Sequence, residues 1–444
     1  MMYLLRHLYL SNRLFIIAGA TAALFSVSFF LPFLFVVAQL LLVLLAAITV
    51  ADAALLFNPS VKMSGKRIMQ KIFSLGDENS VVVALENNST LSLRIRLIDE
   101  LPEQFQRRDF SFHFNIVPGE KKHITYSLLP VTRGNYHFGD LNLLLTTGIG
   151  LCHRRLVIGA SAEIHVYPSI VQMKRFELKA ISTIATHEGI RKLRRIGHSY
   201  EFEEIKEYVR GDDHRSINWK ASGRRHTMMV NRYADEKAQQ VYVVIDRSRT
   251  MRMPFHGMSL LDYAVNTSLV MANLALRKSD KAGLMSFADK YQTFIKADRG
   301  RRQLQKILEA LFAQREENME ANFELLYRSA RYHMHGRSLV FLFTNFESRY
   351  ALERVLPVLR RINRLHLLVV VFFQNAEVED FSRKTVTAID DIYEQTIAKQ
   401  FLHEKMQLGT ELQRYGIQSI LSRPEELSVN TVNKYLEFKS RGLI

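Results

Sequence analysis

The sequence predicts an α/β protein with three parts: an N-terminal two-helix transmembrane hairpin, a small β-sandwich and a doubly wound domain. Three observations predict it. From Leu14 to Phe57 only Asp52 is charged. Residues 72–167 break into short strand-forming runs separated by turn signals. After residue 238, continuous apolar strands alternate with helices, the pattern of a parallel sheet covered on both faces. The 444 residues suffice for two or three domains, and 48% apolar residues supply their cores. The single cysteine, Cys152, excludes an internal disulfide, a CxxC redox pair and a Cys-rich zinc site, and points to a reducing compartment.

An apolar helix needs about 20 residues to cross roughly 30 Å of hydrocarbon. The apolar stretch therefore fits two helices, at 14–30 and 33–56, broken near Pro32. Arg6 and Arg13 precede them, and Lys62, Lys66, Arg67 and Lys71 follow. The positive-inside rule then places both ends in the cytoplasm. A cleaved signal peptide with one anchor is the alternative, but the second apolar run follows at once and no convincing small-residue cleavage site precedes it. Neither helix shows a buried ionisable residue of the kind that marks transport, so the hairpin reads as an anchor.

Strands are expected at 80–85, 91–97, 110–116, 123–129, 141–145 and 163–167, punctuated by Glu86-Asn87-Asn88, Pro118-Gly119 and Arg133-Gly134-Asn135. This is the rhythm of a β-sandwich. A polar connector follows. The doubly wound domain then has strands at 240–246, 282–287, 291–295, 338–343, 366–373 and 418–421. Its helices are expected at 260–278, 301–314, 321–334, 349–364, 389–415 and 428–439. The resulting segments are 1–57, 58–167, 168–237 and 238–444.

The net charge of +16 invites a nucleic-acid reading. Its distribution argues against one. Residues 58–71 hold four basic residues and no acid, whereas 72–167 hold nine basic and ten acidic. The remaining excess is spread along the chain, which is not a clustered nucleic-acid footprint. A juxtamembrane basic belt beside an anionic leaflet accounts for the densest spot. The run Arg191-Lys192-Leu193-Arg194-Arg195 reads either as a solvated turn or as a contact for acidic lipid or an acidic partner.

Ligands of doubly wound sheets bind at the carboxyl ends of the strands. There the sequence places Asp246-Arg247-Ser248-Arg249-Thr250. One carboxylate and two hydroxyls at alternate loop positions can converge on a hard cation such as magnesium. The arrangement resembles the metal-ion-dependent adhesion site of von Willebrand factor A domains, which implies a von Willebrand A-like (Rossmann-like) fold. That site also needs a threonine and a second aspartate. The corresponding segments here read Glu320-Ala321-Asn322-Phe323 and Thr344-Asn345-Phe346-Glu347. The candidate metal residues are thus Asp246, Ser248, Thr250 and Asn345, in a degenerate site. The alternative is that Asp246, Ser248 and Thr250 cap the loop and the next helix.

The connector carries the most distinctive run. It reads Glu201-Phe202, then Glu207-Tyr208-Val209-Arg210-Gly211-Asp212-Asp213-His214-Arg215-Ser216-Ile217-Asn218-Trp219-Lys220, and closes with Ala221-Ser222-Gly223-Arg224-Arg225. This run is similar to the signature of the bacterial family called domain of unknown function 58, the YeaD-like membrane proteins, where it leads into a von Willebrand A-like domain. The hairpin, the Arg133–Tyr136 turn and the Gly150-Leu151 step share the resemblance, with Thr147-Gly148-Ile149 replacing the usual D-P-F. It implies a two-pass protein of the bacterial inner membrane whose soluble domains face the cytoplasm. It also implies a non-enzymatic interaction or assembly factor working with a MoxR-type AAA+ ATPase, with no nucleic-acid partner. Glu201, Tyr208, Gly211, Asp212, Asp213, Arg215, Trp219 and Lys220 are the signature and partner-binding candidates.

Physically, the acids of this run are expected to pair with Arg210, Arg215, Lys220, Arg224 and Arg225, clasping an irregular loop anchored by a partly buried Trp219. A hydrolase using Asp212, Asp213 and His214 is the alternative. No G-x-S-x-G elbow or Walker-type loop is present to support it.

Overall fold

The apolar N-terminus folds, in the computed structural model, as a short strand β1 (Leu8–Leu10) and two helices, α1 (Asn12–Val27) and α2 (Phe33–Leu56). The structure describes residues 7–174, 201–209, 212, 214–234, 238–384 and 389–443. Ser11 caps α1, its hydroxyl accepting the Leu14 amide at 3.4 Å. The helix stops at Val27, short of the expected residue 30, where the Ser28 hydroxyl donates to the Phe25 carbonyl at 2.7 Å. With 24 residues and a length of about 36 Å, α2 is long and apolar enough to cross a bilayer. The apolar α1 is shorter, at 16 residues, and packs on α2 with Phe25 and Phe35 edge to face at 5.9 Å.

Mainly antiparallel β-structure follows, with one parallel pair between residues 72–74 and 165–167 among the described residues. Its strands are β2 (Met63–Met69), β3 (Ile72–Ser74), β4 (Asn79–Asn87), β5 (Leu93–Asp99), β6 (Ser111–Ile116) and β7 (Lys121–Leu128). They continue with β8 (Gly134–Phe138), β9 (Leu141–Thr146), β10 (Cys152–Ile158) and β11 (Ala162–Tyr167). They form sheets ordered β1-β10-β9-β5-β6, β2-β4-β7 and β3-β11-β8. The strict alternation in β4 and β5 sends Val81, Val83, Leu85, Leu93, Ile95 and Leu97 inward.

Two expectations change here. The alternation of β2 turns Arg67 into the protein, where it pairs with Asp99 and donates to the Ala160 and Gly139 carbonyls at 2.7 and 3.0 Å. Tyr126 donates to the same carboxylate. The basic belt is therefore Lys62, Lys66 and Lys71, all exposed. Asp52, in turn, is a fully buried ionisable residue of α2. Its carboxylate accepts the Leu151 and Cys152 amides, both at 2.9 Å, and the Thr147 hydroxyl. Beside it, β1 pairs antiparallel with β10, and the Ser11 hydroxyl donates to the Gly150 carbonyl at 2.8 Å. Helices and β-structure consequently share one compact unit, Met1–Ser169, separate from a second, Ile170–Ile444.

Among the described residues of the second unit, part of the segment expected as a polar connector forms regular structure. Strands β12 (Glu201–Glu207) and β13 (Met229–Ala234) pair antiparallel, and helix α3 (Trp219–Arg225) lies between them in sequence. The main sheet comprises β14 (Gln240–Asp246), β17 (Lys281–Phe287), β18 (Tyr291–Asp298), β19 (Leu339–Phe343), β20 (Leu367–Phe373) and β21 (Gln418–Ser422). A small ribbon, β15 (Pro254–Phe255) with β16 (Met258–Ser259), precedes α4 (Leu260–Arg277). The sheet order is β18-β17-β14-β19-β20-β21, parallel except for β18. Counted within the sheet this is 3-2-1-4-5-6, with its switch point between β14 and β19.

Alternation along β14 builds a core on each face. Val241, Val243 and Ile245 pack with α4, α5 (Arg301–Phe312) and α10 (Leu427–Ser440). Tyr242 and Val244 pack with α6 (Phe323–His333), α7 (Arg349–Leu365) and α9 (Ile389–Arg414). The short helix α8 (Ala376–Arg383), capped by Asn375, was not anticipated.

Removing the Asp52 carboxylate strips two amides and a hydroxyl of their acceptor, at about 1–3 kcal/mol for each buried group left unmatched. Cys152, the sole thiol, is fully buried beside them. In the full chain in detergent, Asp52→Ala is expected to speed maleimide labelling of Cys152 by about tenfold or more. Unchanged labelling would show that the contact contributes nothing.

Candidate functional site

The carboxyl ends of β14 and β19 meet at the switch point, and two of the sequence candidates stand there. Asp246 closes β14 and is 1% exposed. One carboxylate oxygen accepts the Ser248 amide at 2.8 Å; the other accepts the Thr344 hydroxyl at 2.7 Å. Thr344 directly follows β19, so this bond ties the two strand ends together. Burial holds the Asp246 carboxyl above its ordinary value, against the lowering effect of these hydrogen bonds.

Asp246, Ser248, Thr250 and Asn345 do converge. The Ser248 and Thr250 hydroxyls lie 3.0 Å apart and bond to each other. The Asn345 amide donates to the Thr250 carbonyl at 3.4 Å. Ser248 precedes the short 3-10 turn Arg249–Met251 without capping it through its side chain, and Ser259 caps α4 instead. Helix capping therefore does not explain Ser248 or Thr250. In the segment 320–323, Asn322 serves as the N-cap of α6, its side chain accepting the Leu325 amide at 3.0 Å.

The decisive residue was missed. Lys405 of α9 is 4% exposed and brings its ammonium to the Asn345 side-chain oxygen at 3.0 Å and to the Phe346 carbonyl. Its signal was present in the sequence. Ala398, Phe401, Lys405, Leu408 and Leu412 recur at helical spacing, so a lysine sits on the apolar stripe of α9. Burial pulls this ammonium down to about 8, partly opposed by the Glu347 carboxylate.

This set does not fit a magnesium ion. Magnesium asks for near-octahedral oxygen donors and charge neutralisation. The one central carboxylate has both oxygens engaged, the two hydroxyls hold each other, and a protein cation already occupies Asn345. Among the described residues no group of three or more His, Cys, Asp or Glu gathers for a metal.

The arginines interleaved in the motif hold down a neighbouring acidic loop. Arg247 pairs with Glu317, Arg249 with Glu320 at 3.2 Å, and Arg252 with Glu316 at 3.5 Å. Arg354 of α7 adds a second cation to Glu320 at 2.9 Å. Beside this loop a cleft of about 380 Å³ opens onto Thr250, Asn345, Lys405 and apolar walls that include Phe255, Phe373 and Phe401.

The signature run occupies β12, α3 and β13. Asp212 pairs with Lys206 at 2.8 Å and accepts the Val209 amide at 3.0 Å. His214 is exposed, in the short 3-10 turn His214–Ser216. Trp219 is 71% exposed, which corrects its expected role as anchor. The packing is done instead by Met229 and Val230, and the link by Asn218, which donates to the Asn231 side chain at 2.8 Å and accepts the Ala221 amide at 3.0 Å. Tyr208 donates its backbone amide to the Met228 carbonyl at 2.8 Å, and Arg215 and Lys220 are exposed. Gly211, Asp213, Arg210, the 191–195 run and the Glu201 side chain lie outside the described residues.

Two titrations follow from the buried charges. A lysine held below its ordinary value contributes stability that is present above the unfolded-chain value and lost as pH falls through the folded one. The full chain is thus expected to gain stability between pH 8 and about pH 10, and Lys405→Met to lack that gain. A carboxyl held high contributes stability below the unfolded-chain value that is lost as pH rises through the folded one. Asp246→Asn should therefore stabilise the chain at neutral pH, by less as pH falls towards the carboxylate range. Denaturant midpoints measured across pH check both, and superimposable wild-type and mutant curves would contradict them.

Residues 204–388 match the family described as "Protein of unknown function DUF58". The uncharacterized protein YeaD of Bacillus subtilis (strain 168) is 23% identical over 227 residues, covering 49% of this chain and 54% of the relative. The chain thus spans about half the length of the curated relative it matches. Among solved structures, the CARDB domain of the PF1109 protein from Pyrococcus furiosus is 12% identical with a TM-score of 0.17, covering 24% of this chain and 88% of that one. The ASH/PapD-like domain of human CEP192 is 13% identical with a TM-score of 0.18, covering 25% and 90%. The signature run and the sheet that follows it lie largely inside the matched residues, so this part of the chain is similar to the DUF58 family and to the YeaD protein.

Proposed function

We propose that this protein is a membrane-anchored, non-enzymatic interaction and assembly factor. In this reading α1 and α2 form a two-pass anchor in the bacterial inner membrane. The second unit then acts as a von Willebrand A-like domain in the cytoplasm, and a MoxR-type AAA+ ATPase is its partner. The observation that carries the reading is the switch-point cleft, built on a doubly wound sheet whose polar groups are committed to one another.

The hydrolase alternative finds little support by comparison. Asp212 is spent on Lys206 and a backbone amide, and His214 is exposed on a short turn. A general acid or base works best poised in a shielded site. The anchor reading draws support from α2, long and apolar enough to span, and from the Asp52 contact that joins α2 to the β-structure of its own unit.

Affinity purification of the full chain from native membranes is expected to retain a MoxR-type ATPase. Retention should be equal in magnesium and in chelator, because the cleft holds its own cation. A purification in which no ATPase is retained in either condition would sink the reading.

A further inference from the structure

A buried ammonium in an apolar cleft is a feature that needs a counter-charge. Lys405 has three N–H donors. Two protein acceptors take up its ammonium, the Asn345 side-chain oxygen and the Phe346 carbonyl, and neither carries a charge. The Phe401 ring lies 5.7 Å from the ammonium nitrogen. The cleft it lines is walled by Phe255 and Phe373, which are nearly buried, and by Phe401. Glu347 also lines the cleft, where its exposed carboxylate acts on Lys405 through space with no hydrogen bond between them among the described residues. Arg249, the other cation there, is already paired with Glu320 at the surface.

We propose that this cleft is a binding site for a single carboxylate carried on a short apolar body, held by the third N–H of Lys405. The carboxylate supplies the charged hydrogen-bond acceptor that Glu347, acting only through space, does not provide, and charge-assisted hydrogen bonds are the strong ones. The phenylalanine walls receive the apolar body, and the cleft volume of about 380 Å³ admits one small group. A dianion is disfavoured, because Glu347 already places one negative charge in the cleft. The carboxylate belongs either to a free acid or to an acidic side chain of a polypeptide. The assignment rests on the chemistry of the cleft and not on any ATPase, so a failed purification and a failed binding experiment are separate outcomes.

The test uses the full chain in detergent, with 4-fluorophenylacetate as probe and 4-fluorophenylacetamide as its neutral twin, followed by fluorine NMR. The acid is expected to broaden and the amide not. Lys405→Met, which keeps an apolar stem of similar length, should weaken binding of the acid by about tenfold or more. Glu347→Gln removes the competing carboxylate and should strengthen binding several-fold. This variant changes only an exposed side chain, so it keeps the test sound if the lysine variant misfolds.

Displacement by an end-capped peptide Leu-Glu-Phe at lower concentration than by free phenylacetate assigns the carboxylate to a polypeptide. The reverse order assigns it to a free acid. Equal binding of acid and amide, or binding of the acid unmoved by both substitutions, overturns the proposal.

Discussion

A carboxylate can be buried only if its lone pairs are met, and the described parts of this fold are stapled wherever that condition is satisfied. Asp52 joins the apolar helix α2 to the turn before β10. Asp99 joins β5 to Arg67 on β2 and Tyr126 on β7. Asp246 joins the ends of β14 and β19. Asp280 accepts Lys439 of the last helix at 2.9 Å, the Tyr435 hydroxyl and the Gln239 amide at 3.2 Å. Each acid ties together elements far apart in sequence, and each would be costly to strip of its donors.

The same condition explains the site. Sequence comparison with a metal-binding loop suggests a hole waiting for a cation, because one acid and two hydroxyls sit at the right spacing. The structure fills the hole from elsewhere. Thr344 takes the second oxygen of Asp246, and Lys405 brings its ammonium against Asn345. A loop that resembles an ion site has become a hydrogen-bonded junction beside a cleft with an ammonium in its lining.

Much of the second unit could be read in advance. The strand Gln240–Asp246 and the helices near 260–278 and 389–415 follow from apolar runs and helical periodicity, which local sequence carries directly. Of the site, Asp246, Ser248, Thr250 and Asn345 were named and are together. Lys405 was not, although its place on the apolar stripe of α9 was a visible anomaly. Trp219 was misjudged because a large aromatic residue is usually buried, whereas here it opens a short surface helix and Met229 and Val230 do the packing. Arg67 was misjudged in the opposite sense, since a basic run beside an apolar helix hides the alternation that turns one of its members inward.

By itself the sequence determined the apolar span, the β-rich middle, the parallel sheet and the loop at the end of its first strand. These depend on the period and length of apolar runs, which neighbours along the chain decide. Only the tertiary structure decided the partners of the buried charges. Asp52 with Cys152, Asp246 with Thr344 and Asn345 with Lys405 are separated by 100, 98 and 60 positions. No local propensity carries such pairings, because they exist only once the strands and helices have packed and water has been removed from between them.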